Sequence, residues 1–250
     1  GITFGSLGVL GPKAITNIAT DAQTLGYQSI WTVEATGTDA LTMLGAVSQA
    51  APNLDLGTGI VPIQIRTPAL AAMSAATLQA LNPDVDVWLG VGVSAPGILS
   101  QHGMPTTEKP IGMMREYVAL FRECLSGESV TFEGDYFQTK RFRLGMRLGE
   151  RKPKIVMAAL NPQMLTLAGE VADGVLLNYL PSSHVQPSID HVRKGGQAKI
   201  FAYVHASVTE FERGAKSAKR DLFNYVMADG YAKMFKEAGF GEEVDEIRAL

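Results

Sequence analysis

Short apolar runs alternate along the chain with longer stretches in which apolar residues recur every three to four positions, the mark of strands alternating with amphipathic helices. Residues 2–5 predict a first strand, followed by a loop carrying Gly5, Gly8 and Gly11. Pro12 then opens a helix striped by Ala14, Ile15, Ile18, Ala19, Ala22 and Leu25, which stops at Gly26. Residues 29–33 form a β-rich run ending at Glu34, and Asp39 is placed to cap a helix over 40–51. Residues 54–61 predict a third strand, and Thr67-Pro68 reads as N-cap and first position of a helix reaching about Leu81. A fourth strand spans 86–93. Pro96-Gly97 then predicts a break, with the next helix over 110–125.

The period changes at 129–137, where a hairpin with Gly134-Asp135 at its turn is expected. Strand–helix alternation resumes with strands over 154–158, 174–178 and 199–207, each followed by a helix (162–171, 182–194, 210–227), and 228–250 reads as helical and charged. Repeated strand–helix units predict a parallel sheet joined by right-handed crossovers. Seven such units are visible where a (βα)8 barrel needs eight. The expected fold is therefore α/β, a TIM barrel lacking its eighth strand–helix unit, in a single domain spanning 1–250.

Composition narrows the partners. The 250 residues are 46% hydrophobic and 19% charged, which suits a globular protein with a sizeable core. Lys plus Arg number 22 against 25 Asp plus Glu, and the basic residues are scattered, so no field exists to hold nucleic acid. No apolar run approaches the roughly 18 residues that span a bilayer, so no membrane partner is expected. Nor does the start look like a secretory signal; without an initiator Met it reads as trimmed. One cysteine forms no internal disulfide, which fits a reducing, cytoplasmic setting.

In a barrel, chemistry collects at the carboxyl ends of the strands. Here those ends are Gly5-Ser6, Glu34-Ala35, Gly59-Ile60-Val61, Gly92-Val93-Ser94, Ala159-Leu160-Asn161, Asn178 and His205 to Ser207. The rim is small and mostly neutral, without carboxylate clusters, and His102, His184, His191 and His205 lie in no metal-binding spacing. Such a rim suits either simple turns or a flat ligand pressed on backbone, with a cofactor carrying the chemistry. Gly90-Val91-Gly92-Val93-Ser94-Ala95 matches a dinucleotide fingerprint only loosely, and Pro96 spoils a GxSxG elbow. Cys124 reads as core, Met73, Met113 and Met114 as core or contact residues, and His205 as a packed, hydrogen-bonded histidine on the face of Phe201 and Tyr203.

Several segments add more. Leu25-Gly26-Tyr27-Gln28-Ser29-Ile30-Trp31-Thr32-Val33-Glu34, Leu56-Gly57-Thr58-Gly59-Ile60-Val61-Pro62 with Arg66-Thr67-Pro68-Ala69, and His102-Gly103 resemble the bacterial-luciferase-like superfamily. So do Phe132-Glu133-Gly134-Asp135-Tyr136-Phe137, and Ala158-Ala159-Leu160-Asn161-Pro162 running into Ala172-Asp173-Gly174-Val175. Within it the chain is most similar to the deazaflavin-dependent oxidoreductases, which use coenzyme F-420. The resemblance implies a barrel holding the coenzyme ring at its mouth, and a non-proline cis peptide at Gly59-Ile60 behind the ring. Gly92 would let backbone approach the ring, while the amides of Ala159, Leu160, Asn161, Gly174 and Val175 would receive the coenzyme's tail. It also implies a small-molecule substrate and a homodimer through the two apolar helices over 40–51 and 69–81. Many members carry an imidazole after the acidic residue, where this chain has Ala35. That leaves Glu34 as either proton donor or polar anchor, and His102 as an organiser of the loop. Alternatives are a reduced-FMN monooxygenase of the same fold and a flavin-binding protein without turnover.

Overall fold

The structure, a computed structural model, describes residues 1–5 and 8–249. Ser6, placed on the rim by the sequence, lies outside the described residues. In chain order the elements are β1 (Ile2–Thr3), α1 (Pro12–Thr24), β2 (Ser29–Thr32), α2 (Ala40–Ala50), β3 (Asp55–Thr58), β4 (Val61–Pro62), α3 (Pro68–Leu81), β5 (Val87–Gly92), α4 (Pro96–Gln101) and α5 (Pro110–Cys124). There follow β6 (Val130–Glu133), β7 (Gln138–Phe142), β8 (Lys154–Ala158), α6 (Pro162–Val171), β9 (Gly174–Leu177), α7 (Ser182–Gly195), β10 (Lys199–Ala202), α8 (Phe211–Val226), α9 (Asp229–Glu237) and α10 (Gly241–Arg248). None of the helices among the described residues is long and apolar enough to cross a membrane. The chain divides into two compact units, residues 1–158 with 171–173, and residues 159–170 with 174–250.

In the first unit β1, β2, β3, β5 and β8 pair in that order, all parallel. β5 is buried along its whole length, as a central parallel strand covered on both faces should be. The helix starts follow their signals: Pro12 and Pro68 sit in the first turn, and Asp39 accepts the Thr42 amide at 2.7 Å. Pro96 behaves differently from expectation. It occupies the first turn of α4 and starts a helix where a break was predicted, since its missing N–H costs nothing there. The third strand also departs from a single run over 54–61, dividing into β3 and β4 around Gly59 and Ile60. Of the three methionines read as core or contact residues, Met114 is fully buried in the core, and Met73 stands 48% exposed on α3. Cys124 is buried as expected, and burial pushes its thiol up to about 11.

The hairpin β6–β7 is antiparallel and is held to α5 by one carboxylate. Glu116 accepts the Asp135 and Tyr136 amides, each at 2.9 Å, and the Phe137 amide as well. A side chain at Gly134 would collide with that carboxylate, its Cβ falling 2.3 Å from the Glu116 carboxyl. Glu116→Ala should therefore loosen the turn, leaving three amides without their acceptor at a cost of about 1–3 kcal/mol. Faster hydrogen exchange at Asp135, Tyr136 and Phe137, with the rest of the unit unchanged, is the expected readout; unchanged exchange there would show the carboxylate to be dispensable.

In the second unit β9 and β10 pair in parallel, and α6 and α7 approach so closely that glycine is required. A Cβ on Gly169 would lie 2.1 Å from the Val192 carbonyl oxygen, and one on Gly195 2.0 Å from that of Thr166. β10 ends at Ala202 rather than continuing to 207. Its partner β9 ends at Leu177, and after the Tyr203 amide reaches the Leu177 carbonyl at 2.9 Å no ladder remains to follow. His205 consequently leaves the strand and stacks on Tyr179 at 3.8 Å, with burial lowering its pKa. Tyr179 has φ of 51° and also packs on Tyr225 at 3.9 Å. The core of this unit gathers Val226, Ala232, Met234, Phe235 and Val244 from α8, α9 and α10, with Leu160, Tyr179 and Leu180 packed against it.

Candidate functional site

The candidate site of the first unit is built where β2, β3 and β5 end. The peptide bond between Gly59 and Ile60 is cis, at the position the resemblance implied. The Gly59 amide donates to Thr32 at 2.6 Å and the Ile60 carbonyl accepts the Glu34 amide at 3.0 Å, so the bulge is tied to β2. On its other side Thr58 replaces the missing ladder. Its hydroxyl donates to the Gly90 carbonyl and accepts the Gly90 amide, both at 2.8 Å. Pairing then resumes through β4, with Val61 opposite Val91 and Pro62 opposite Gly92. Gly92 lies under the bulge: a Cβ there would fall 3.2 Å from the Ile60 side chain and 3.4 Å from Ala158. Gly59, Ile60 and Gly92, with Ala158, therefore form one small, uncharged floor, and the space that glycine leaves at position 92 is used by Ile60.

Glu34, whose amide is bonded to the Ile60 carbonyl, also belongs to a compact ion cluster. Glu34 receives two hydrogen bonds from Arg66, from Nε at 2.7 Å and Nη2 at 2.6 Å, while the same Nη2 reaches Asp39. The Glu34 and Arg66 side chains are only 7% and 13% exposed. Hydrogen bonding to Glu34 holds Arg66 charged, above its already high value. Burial acts to raise Asp39, but bonds from Thr42 and the Arg66 charge outweigh it and leave the carboxyl below its ordinary range. The Tyr117 phenol is fully buried, and burial raises its pKa strongly. This geometry bears on the two roles open to Glu34. A carboxylate held by two guanidinium hydrogen bonds is placed to anchor, and to act as an acid it would first have to give up that pair. His102 donates from Nε2 to the Ala35 carbonyl at 2.6 Å, the loop contact expected of it.

The tail-binding residues fare unevenly. Ala159 donates its amide to the Leu176 carbonyl at 3.4 Å. Asn161 caps α6, its side chain taking the Met164 amide at 3.0 Å and its carbonyl the Leu165 amide at 2.9 Å. Pro162 has no N–H, so two of the first-turn positions offer no donor to an anion. The Leu160 side chain packs against the α8–α10 core. Gly174 and Val175 begin β9, at the end opposite the residue Asn178 that follows it. Gly174 is small for a packing reason, since a Cβ would come within 2.8 Å of the Phe201 ring, and Val175 is completely buried. No cluster of three or more His, Cys, Asp or Glu suited to a metal occurs among the described residues.

Sequence reasoning passed over Gln64. It lies in the loop leaving the rim, 7% exposed, with neither amide atom hydrogen-bonded. A buried, unspent donor and acceptor in the segment between β4 and α3 fit the polar edge of a ligand better than they fit an apolar core. A lone glutamine in a loop carries no periodic signal, so only the fold could single it out.

The chain matches the family model of luciferase-like monooxygenases over residues 4–250. A Mycobacterium tuberculosis protein named as a coenzyme F-420-dependent oxidoreductase is 30% identical over 282 aligned positions, covering 100% of this chain and 80% of its own. A 5,10-methylenetetrahydromethanopterin reductase of Methanolobus tindarius is 26% identical over 223 residues, 86% of this chain and 67% of the reductase. Among solved structures, an F-420-dependent secondary alcohol dehydrogenase in complex with an F-420–acetone adduct superposes with TM-score 0.77 at 20% identity, covering 95% of this chain and 80% of that one. A monooxygenase from Streptomyces bottropensis gives 0.74 at 22%, with the same coverage. These likenesses establish the fold as the luciferase-like TIM barrel, of which seven strand–helix units lie among the described residues. With its family model matched over nearly the whole chain, this protein belongs to the luciferase-like monooxygenase family.

Proposed function

We propose that the protein is a coenzyme F-420 (deazaflavin)-dependent oxidoreductase that moves a hydride between the coenzyme and a small organic substrate. The observation that carries this reading is the small, uncharged floor made by Gly59, Ile60, Gly92 and Ala158, with the unpaired Gln64 amide in the adjoining loop. Bound there, the deazaflavin would supply the hydride-accepting centre. The chain's own residues do the rest: Ile60 and Gly92 shape the floor, Gln64 offers a donor and an acceptor to the ring's polar edge, and the Glu34–Arg66–Asp39 cluster fixes the loop after β2. Names of relatives point the same way.

Arg66 is already neutralised by two carboxylates, so the mouth of this unit has no spare cation from that cluster for a phosphorylated substrate. The proposed substrate is therefore not a sugar phosphate. The test is a parallel titration of the protein with the oxidised deazaflavin coenzyme and with FMN, followed by ligand fluorescence. Tight binding of the deazaflavin alone is expected. Preference for FMN would favour a reduced-FMN monooxygenase, binding without turnover a flavin-binding protein, and binding of neither would remove the cofactor reading. A homodimer is also proposed, because α3 presents Leu70, Met73 and Leu81 to solvent at 45%, 48% and 54% exposure. Sedimentation should show a dimer that Met73→Lys weakens.

A further inference from the structure

In the second unit α8 carries an apolar stripe longer than the core it serves. Its carboxyl half sends Leu222, Tyr225 and Val226 into that core. Ala218, Ala215 and Phe211 continue the same face toward the amino end at helical spacing, yet Phe211 is 86% exposed and Ala218 is exposed as well. Val204 and Val208, in the segment leading from β10 into α8, stand 84% and 104% exposed. Single apolar side chains on a surface need no explanation, but a cluster in line with the unfinished stripe of a helix marks a contact face.

The charges beside that face are unspent too. Phe211 and Ala215 share an open groove with Glu212, Lys216 and Lys219. α8 holds Arg213, Lys216, Lys219 and Arg220 against Glu212 and Asp221, and none of the four cations forms an ion pair among the described residues. α10 is the reverse, with Glu242, Glu243, Asp245 and Glu246 against Arg248. Its Val244 and Ile247 turn into the core, so the acids face outward. Lys236 holds Asp245 and Asp229 holds Arg248, which leaves Glu242, Glu243 and Glu246 exposed and unpaired among the described residues. Because α8 packs on α9 and α10, the basic, apolar end and the acidic face belong to one group of helices.

We propose that this face binds a second copy of the chain, with α8 of each protomer resting on α10 of the other. Charge complementarity selects that occupant, since one chain carries both halves of the match. A two-fold axis makes the contact reciprocal and closes a dimer. Val204, Val208 and Phe211 supply the apolar centre. The flanking ion pairs, each worth little on a surface, set register and approach. This contact is separate from the α3 face, which belongs to the first unit, and it holds whichever coenzyme binds.

The experiment is sedimentation of the full chain carrying Met73→Lys, which sets the α3 contact aside. That chain should still associate, and more weakly as salt is raised. Lys216→Glu with Lys219→Glu places acid on both helices, and Glu242→Lys with Glu243→Lys places cations on both. Each double variant then meets like charge at both contacts and should associate about 10-fold or more weakly, whereas an equal mixture of the two meets opposite charge at both and should recover a mixed dimer. Phe211→Ser should weaken association by about 10-fold with melting unchanged, since the ring is exposed in the protomer. A Met73→Lys chain that stays monomeric at every concentration would overturn the proposal, and its sedimentation with vesicles of anionic phospholipid would make the face a lipid-binding one instead. Double variants that associate like their parent, or a mixture no tighter than its components, would overturn it too.

Discussion

Gly90→Ala is expected to be the most damaging single methyl that can be added to the first unit. The new Cβ would lie 1.7 Å from the Thr58 carbonyl oxygen, and the obstruction is backbone on both sides, so no side-chain rotation relieves it. Separating the strands breaks the two hydrogen bonds by which the Thr58 hydroxyl grips the Gly90 amide and carbonyl. The cost should meet or exceed the upper end of the ~1–3 kcal/mol seen for overpacked cores, a large part of a domain's ~5–15 kcal/mol. Thermal melting should fall steeply, or the variant should be recovered insoluble. Thr58→Val tests the same joint from the other side: it keeps the shape but leaves two buried backbone groups unpaired, at about 1–3 kcal/mol each, and Thr58→Ser should restore most of the loss. If Gly90→Ala melts like the natural chain, the joint between β3 and β5 is not what holds the rim.

That joint also shows what periodicity can and cannot reveal. Residues 54–61 read as one strand because a parallel strand buried on both faces is simply apolar and small throughout, with no alternation to betray an interruption. The interruption depends on a hydroxyl–backbone exchange with Gly90, 32 residues away in sequence, and no local pattern encodes it. Pro96 misleads for a related reason: the same residue breaks a helix from within and starts one from its first turn, and only the neighbouring chain decides which. The alternation of Phe201, Tyr203 and His205 is a genuine strand pattern, but a strand lasts only as long as its neighbour, and β9 stops at Leu177. The strand–helix order itself was legible because it repeats and because its helices carry their own start signals.

Much the same division runs through the site. The bulge at Gly59-Ile60 was reached by resemblance, and the structure has it. Glu34 was visible as a polar residue closing an apolar strand, but its role turns on Arg66, another partner 32 positions on. Gly174 and Val175 show a different limit. A motif match says which residues accompany a family, whereas position along the strand says which end of it they occupy, and these two begin β9. Glycine there serves the Phe201 ring.

Removing Arg66 is the second change expected to be severe. Arg66→Met keeps much of the side chain's bulk but strands Glu34, a carboxylate 7% exposed, without the guanidinium that compensates its burial. Breaking a buried pair from one side costs about 3–5 kcal/mol, so the melting temperature should drop by many degrees. Glu34→Gln should cost less, because the amide oxygen still accepts from Arg66 and Asp39 remains as counter-ion. The double variant should then cost clearly less than the sum of the two, since once Glu34 is neutral no charge is left stranded. Acid should reproduce part of the effect with a defined sign. Asp39 is held below its ordinary value near 3.8, so its contribution is complete above that pH and disappears as pH falls through the lower folded value. In Arg66→Met the Coulombic part of that depression is gone, and the acid limb of the stability curve attributable to Asp39 should move toward 3.8. Melting curves from pH 7 down to about 3 on the natural chain and both variants decide the matter. An Arg66→Met protein as stable as the natural one would mean that the cluster decorates the rim without fixing it, and the loop carrying Ala35, on which His102 is hung, would have to be held by something else.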